Sequence, residues 1–237
     1  MLLSVVIPAF NEESYLPETL SNLQNAIGMC RCSVEVIVAD NGSSDGTAQI
    51  ARSFGATVAH EPVHNIARVR NSGASAARGD VLLFLDADTI VPRHLLDRIA
   101  EAMGDPACMG GRPDVVHTAR SGLLKGYLCA WRWLGMRLGM AQGAGQFCRK
   151  SAFGALNGYD ESYFMGEDVE FYRRLQKLCR SSGGHLKFLD DVTVLPSPRR
   201  FDHTPIWRTL IWTNPLVIAP LRKTRSAWRE WYVKPPR

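Results

Sequence analysis

Short apolar, β-branched runs alternate with amphipathic stretches through the first half of the chain. LSVVIPA (3–9) reads as a buried strand. Between Ser14 and Ile27, the residues Leu16, Leu20, Leu23 and Ile27 recur at spacings of three and four, which predicts an amphipathic helix. VEVIVAD (34–40) is a second strand, and NGSSDGT a turn in which Ser44 or Asp45 caps a helix running to Phe54. ATVAH (56–60) is a third, weaker strand, followed by a helical pattern over about 65–77. VLLFLDAD (81–88) is a continuously apolar fourth strand that ends in carboxylates. Strand and helix in repeated alternation imply an α/β domain with a parallel sheet covered on both faces. Ligands bind such sheets beyond the carboxyl ends of the strands, which sets Pro8–Asn11, Asp40–Ser44 and Asp86–Asp88 along one rim.

The second half is less regular. Residues 121–140 are helical, basic and aromatic (Tyr127, Trp131, Trp133). GAGQFCRK (143–150) reads as strand then turn, and GEDVEFYRRLQKL as a helix beginning near Glu167. Beyond about Leu195 the chain becomes rich in Pro and Arg. The opening MLLSVVIPAFNEE lacks a basic n-region and a cleavage pattern, so it is expected to be strand and not signal peptide. No apolar run reaches the roughly 18 residues of a membrane span.

Composition changes this picture little. Apolar residues at 46% and charged residues at 22% are those of a folded protein. The formal charge of +5 suits an anionic partner, whether nucleotide diphosphate, lipid headgroup or nucleic acid. Nucleic-acid binding would rest on that charge alone, with no module signature, and is not expected. The six cysteines contain no CxxC spacing, which argues against structural zinc and for free thiols in a reducing cytosol.

Several rim residues carry two readings. Asp86 and Asp88, two apart at a strand end, point to one face, and their mutual repulsion calls for a cation such as Mg²⁺ or Mn²⁺; alternatively they belong to a polar loop with one Asp capping the next helix. Asp40-Asn41-Gly42-Ser43 either accepts from a base or ribose or forms an Asx turn. Arg68 and Arg70 either reach a base or phosphate or stay solvated. Glu167-Asp168 either exploits the helix dipole or supplies a general base on a rigid element.

Taken together, VVIPAFNEESYLPETL, VIVADNGSSDGT, RNSGASAARGDVLLFLDADT and NGYDESYFMGEDVEFYRRL resemble the family 2 inverting glycosyltransferases of GT-A fold, over roughly residues 3–180. The resemblance implies a Rossmann-like, mostly parallel sheet flanked by helices, with a helical or irregular C-terminal appendage. It also implies that Pro8, Phe10 and Glu12 line the nucleotide pocket and that Asp40 hydrogen-bonds the base. Arg70 matches the arginine of the family's Ala-Arg-Asn string, and Asp86 and Asp88 match the DxD carboxylates, Asp88 being the more direct metal ligand. Asp168 matches the catalytic base, with Glu167 beside it contacting donor or acceptor. One departure is Asn41, where the family usually has a second acid; an amide still accepts a hydrogen bond, so nucleotide-sugar binding should survive.

These parts imply a metal-assisted single displacement from a nucleotide-sugar donor to the hydroxyl of a glycan, lipid or lipid-linked acceptor, with inversion. A polyprenyl-phosphate glycosyl synthase and a non-catalytic nucleotide-sugar-binding module are the alternatives. A dehydrogenase is disfavoured because no GxGxxG follows the first strand. Residues 1–200 are expected to form the catalytic domain, with a nucleotide half (1–105) and an acceptor half (106–200). Arg199, Arg200 and His203 either belong to a lid that grips the diphosphate, His203 being an extra metal ligand, or form a basic linker. Residues 201–237 would hold that lid and an interfacial segment. Thr209–Leu221 is uncharged and flanked by Trp207, Trp228 and Trp231 and by Arg222, Lys223 and Arg225, which suits an anionic membrane surface or packing on protein. The expected location is cytoplasmic, and at the inner face of the cell membrane if the tail is interfacial.

Overall fold

Eight residues, Leu2–Ala9, apolar but for Ser4, form β1, buried along nearly its whole length. The computed structural model describes residues 1–137, 143–202 and 204–228. His203 and Trp231 lie outside the described residues, as does the side chain of Arg200. In the first half, β1 pairs in parallel with β2 (Ser33–Asp40) and β4 (Val81–Phe84), and β2 with β3 (Thr57–His60). The connections are α1 (Leu16–Met29), α2 (Thr47–Ser53) and α3 (Ile66–Ala76). Neither residue expected to cap α2 sits at its N-cap, which is Gly46 without a side-chain cap; Asp45, one residue earlier, accepts at Oδ1 from Thr47 N at 3.0 Å.

Beyond β4 the expected parallel sheet becomes mixed. After β5 (Thr89–Ile90) and α4 (Leu95–Met103) come β6 (Cys108–Val115), α5 (Gly122–Arg137) and β7 (Gln146–Arg149). Then follow α6 (Lys150–Ala155), α7 (Glu167–Ser182) and β8 (His185–Pro196). β7 runs antiparallel to both β4 and β6, β8 is parallel to β6, and β5 is antiparallel to β8. Among the described residues the strand order is β3-β2-β1-β4-β7-β6-β8-β5. Lys150, expected in a turn, instead starts α6.

Alternation along the strands divides the core into two layers. Leu3, Val5 and Ile7 of β1 pack with Leu16, Leu20 and Leu23 of α1 and with Leu95 and Ile99 of α4. Val6, with Leu82 and Phe84 of β4, faces Ala67 and Ala74 of α3 and Phe171 and Leu175 of α7 on the other side. The chain ends in short helices: α8 (Arg199–Asp202), α9 (Ile206–Trp212), α10 (Pro215–Leu221) and a 3-10 turn, Arg225–Trp228. Of the two settings open to Trp228, a lipid interface or packing on protein, the structure has the second: the indole is buried and donates from Nε1 to Leu221 O at 2.8 Å, folding the tail back on itself. Among the described residues no helix is long and apolar enough to cross a membrane.

Candidate active site

The parallel register pairs Ala9 with Asp40, so the loops after β1 and β2 leave the sheet side by side. Asn11 takes a left-handed backbone (φ 53°), and its Oδ1 accepts from Ser44 N at 2.8 Å, stitching the two loops together. That bend presents Phe10 and Glu12 to a cavity of about 430 Å³ also lined by Pro8 and Asn41. Asp40 does not line it: the buried carboxylate accepts from Ser43 N at 3.3 Å and lies 3.6 Å from His60 Nδ1. The Asn41 amide does more than accept. Its Nδ2 donates to Glu61 O at 2.5 Å and Val63 O at 3.0 Å, while Oδ1 meets His64 Nδ1 at 3.1 Å. A carboxylate would set its charge against two carbonyl dipoles, which gives a physical reason for an amide in this place.

β4 stops at Phe84, four residues short of the expected end, because the chain bends into a turn closed by Thr89 N donating to Asp86 O at 3.2 Å. Asp86 and Asp88 therefore reach the cavity from a turn and not from pleated strand, and both line it. Each carboxylate meets a guanidinium. Arg70, buried in α3, donates from Nη2 to Asp86 Oδ1 at 3.1 Å and from Nη1 to Glu167. Burial alone would depress the Arg70 pKa, but Glu167 and Asp86 outweigh it and hold the charge firmly on. Arg199 donates from Nε to Asp88 Oδ2 at 2.9 Å and from Nη2 to Glu12 Oε1 at 2.5 Å. Arg68 points elsewhere, to Glu61 at 3.4 Å and Glu161 at 3.2 Å. Two cavity-facing carboxylates on one turn offer the hard oxygen donors that Mg²⁺ and Mn²⁺ take together with phosphate oxygens, so the residues fit such an ion. Among the described residues no cluster of three or more His, Cys, Asp or Glu forms a complete protein cage.

Gly166, at φ 73°, turns the chain into α7, whose first residues are Glu167 and Asp168. Asp168 Oδ2 accepts from Gly143 N at 2.6 Å and Oδ1 from Val169 N at 2.7 Å. Burial, then the neighbouring Glu167 charge, push the Asp168 carboxyl up to about 7, against the pull of Arg70 and the two amide donors. A carboxyl titrating there can take a proton at neutral pH.

The family model for Glycosyl transferase family 2 matches residues 4–138. The chain belongs to that family. Among curated relatives, the undecaprenyl-phosphate 4-deoxy-4-formamido-L-arabinose transferase of Aeromonas hydrophila is 37% identical over 109 residues, 43% of this chain and 33% of that protein. The dolichyl-phosphate beta-glucosyltransferase of Mus musculus is 31% identical over 116 residues, 44% of this chain and 36% of that protein. The matches thus span about a third of the length of those relatives. Among solved structures, the mannosyltransferase PcManGT of Pyrobaculum calidifontis, in complex with GDP-Man and Mn²⁺, superposes with a TM-score of 0.65 at 19% identity, over 98% of this chain and 70% of that one. TarS of S. aureus, in complex with UDP, gives 0.65 at 17% identity, over 99% and 76%. The fold is of the GT-A type.

In this family 2 chain the cavity's far wall comes from residues that sequence reasoning missed. Asp114, buried at the end of β6, is gripped by Arg132 of α5 through Nε at 2.8 Å and Nη2 at 2.5 Å. Arg112, His117, Leu128, Trp131 and Met136 line the same wall. The available signal was Asp114 itself, an acid two residues after Arg112 at the end of the uncharged CMGG stretch (108–111), but the Gly and Pro residues disguise β6 as a loop.

Proposed function

We propose that the chain moves a sugar from a nucleotide-diphosphate sugar to an acceptor hydroxyl by single displacement, with Asp168 as the base. The observation that carries this reading is the opening of Asp168, raised to about 7, onto the cavity that Asp86 and Asp88 also face. Pro8, Phe10, Glu12 and Asn41 would receive the nucleotide; Asp40 would act on the base through the Asn41–Ser43 turn it anchors. Asp86 and Asp88 would hold Mg²⁺ or Mn²⁺, which when bound neutralises charge on the departing diphosphate. Arg199 would turn its donors from Asp88 and Glu12 to diphosphate oxygens, with Arg200 and His203 following it in the chain. Asp168 takes the acceptor proton as the acceptor oxygen bonds to the anomeric carbon. The bond from that carbon to the diphosphate oxygen breaks with its electron pair on oxygen, and configuration inverts. Glu167 stays on Arg70 and keeps the base oriented.

The change from parallel to mixed pairing after β4 supports a nucleotide half over residues 1–105 and an acceptor half over 106–200. Leu128, Trp131, Met136, Phe164 and Phe201 make the acceptor wall apolar, which favours a lipid or lipid-linked acceptor over a free glycan. The uncharged Thr209–Leu221 segment with its basic flank supports an anionic membrane as the setting. A second reading is favoured by Arg112 and Arg132 on that wall: transfer to a polyprenyl phosphate, whose anionic oxygen needs no base.

Calorimetry with a panel of nucleotide diphosphates, with and without Mn²⁺, tests the donor site on wild type and Asp88→Ala. Metal-dependent binding of one nucleotide, lost in the variant, is expected. A well-folded wild type that binds none of them would overturn the transferase reading.

A further inference from the structure

Two helices of this chain turn apolar side chains away from the protein. In α5, Leu124 and Leu128 pack inward with Ala119 against Tyr127 and Phe201, yet Leu123 is 83% exposed and Trp133 55%. In α9 the usual polarity is inverted: Thr209 is 3% exposed while Trp207 is 61% exposed, and Ile206, Leu210 and Ile211 also face out. Helices in water place their apolar stripe toward the core. The two helices meet where Tyr127 Oη lies 2.5 Å from Thr213 Oγ1. Leu128 and Trp131 from one segment and Thr213 and Ile218 from the other line the cavity, so the segments that bear both apolar rows also border it.

Charge identifies the occupant. The chain holds 28 Lys and Arg against 23 Asp and Glu. Residues 116–137 and 204–228 contain eight of the basic residues and no acid, which leaves the rest of the molecule net negative. Lys125 and Arg137 accompany α5, and Arg222, Lys223 and Arg225 follow α10. A second copy, docking through the same face by twofold symmetry, would bring like charge onto like charge. An anionic headgroup layer over hydrocarbon complements both features at once.

We propose that α5 and α9 together dock on an anionic lipid bilayer and carry the cavity mouth to the headgroup layer, where a lipid-borne acceptor enters. The acceptor half of this statement rests on the transferase reading; the docking does not. Flotation of the full chain with vesicles of phosphatidylcholine, alone or mixed with phosphatidylglycerol, tests it directly. Wild type should rise with the mixed vesicles, remain behind with phosphatidylcholine alone, and release as salt is raised. Leu123→Asp combined with Trp133→Asp, and separately Trp207→Asp, should each weaken binding by about tenfold or more while nucleotide affinity stays at the wild-type level. Wild type left behind by anionic vesicles would overturn the docking. So would an α5 variant that floats as wild type does, or self-association that the variants abolish in the absence of any vesicle binding. Vesicle binding without sugar transfer to any lipid would support the docking and overturn the lipid-borne acceptor.

Discussion

Arg199 Nε lies 2.9 Å from Asp88 Oδ2, so a side chain 111 residues downstream already neutralises the carboxylate assigned as the more direct metal ligand. The same guanidinium reaches Glu12 and stacks 4.2 Å over the Tyr15 ring, which ties the C-terminal segment to the loop after β1. On the proposed reading, a divalent cation would compete with Arg199 for that carboxylate until diphosphate oxygens gave the arginine a new partner.

That competition predicts an unusual gain. Arg199→Gln should bind Mn²⁺ more tightly in the absence of nucleotide, by about 1 kcal/mol or roughly fivefold, because a partly buried ion pair no longer has to break. Nucleotide diphosphate should bind more weakly to the same variant. Titration of Mn²⁺ followed by electron paramagnetic resonance reads the first effect, and unchanged or weaker Mn²⁺ binding would rule the competition out.

Asn41→Asp restores the acid usual in the family and should nevertheless harm this chain. Both donors to Glu61 O and Val63 O would be lost and a charge placed against those carbonyls. The expected cost is about 2–4 kcal/mol, read from urea unfolding. A variant as stable as wild type would mean that the loop after β3 re-forms around the acid.

The first four strands and the helices between them were legible because their signals are local. The apolar run of β1, the three-and-four spacing in α1 and the carboxylates after β4 each lie within one short window. What failed was whatever depends on distant partners. β6 pairs with β8 across a gap that aligns Cys108 with His185, and its glycines and proline carry no strand signal of their own. The Asp114–Arg132 pair exists only once β6 and α5 are docked, so no spacing announces it. The residues of the carboxylate turn were identified while its conformation was not. Thr89 draws the chain into a hydrogen-bonded turn immediately after an apolar run that alone would continue as strand.

Asp168 makes a prediction with two signs. As a base it must be ionised, so transfer to a hydroxyl acceptor should climb as pH rises through about 7 and level off above it. Stability should move the other way. The folded carboxyl holds its proton to about 7 against the ordinary 3.8, so its contribution is fully present below 3.8, declines as pH rises toward 7, and is absent above. Asp168→Asn should therefore melt at a temperature equal to or above wild type at pH 8, retain nucleotide binding and lose transfer. A flat pH–rate profile across 6–8 would instead favour a phosphate acceptor, which needs no base.

Gly143 joins Asp168, the proposed base, to the buried arginine. Its N–H holds Asp168 at 2.6 Å, and a Cβ at this position would press into Arg70 Nη2 and stand 3.0 Å from Cζ. Arg70 cannot retreat freely, because it is buried and bound to both Glu167 and Asp86. Gly143→Ala must then shift either the guanidinium or the backbone that orients the base. A displacement of about 1 Å in a catalytic group costs on the order of a hundredfold in rate. The expected outcome is a kcat lowered by about that factor, with nucleotide affinity changed far less because Gly143 touches Asp168 and Arg70 and none of Pro8, Phe10, Glu12 and Asn41. Steady-state kinetics with calorimetry on the same preparation separates the two. Equal losses in kcat and nucleotide affinity would show that the methyl group unseats Asp86 through Arg70, and wild-type kinetics would remove Gly143 from any role in placing Asp168.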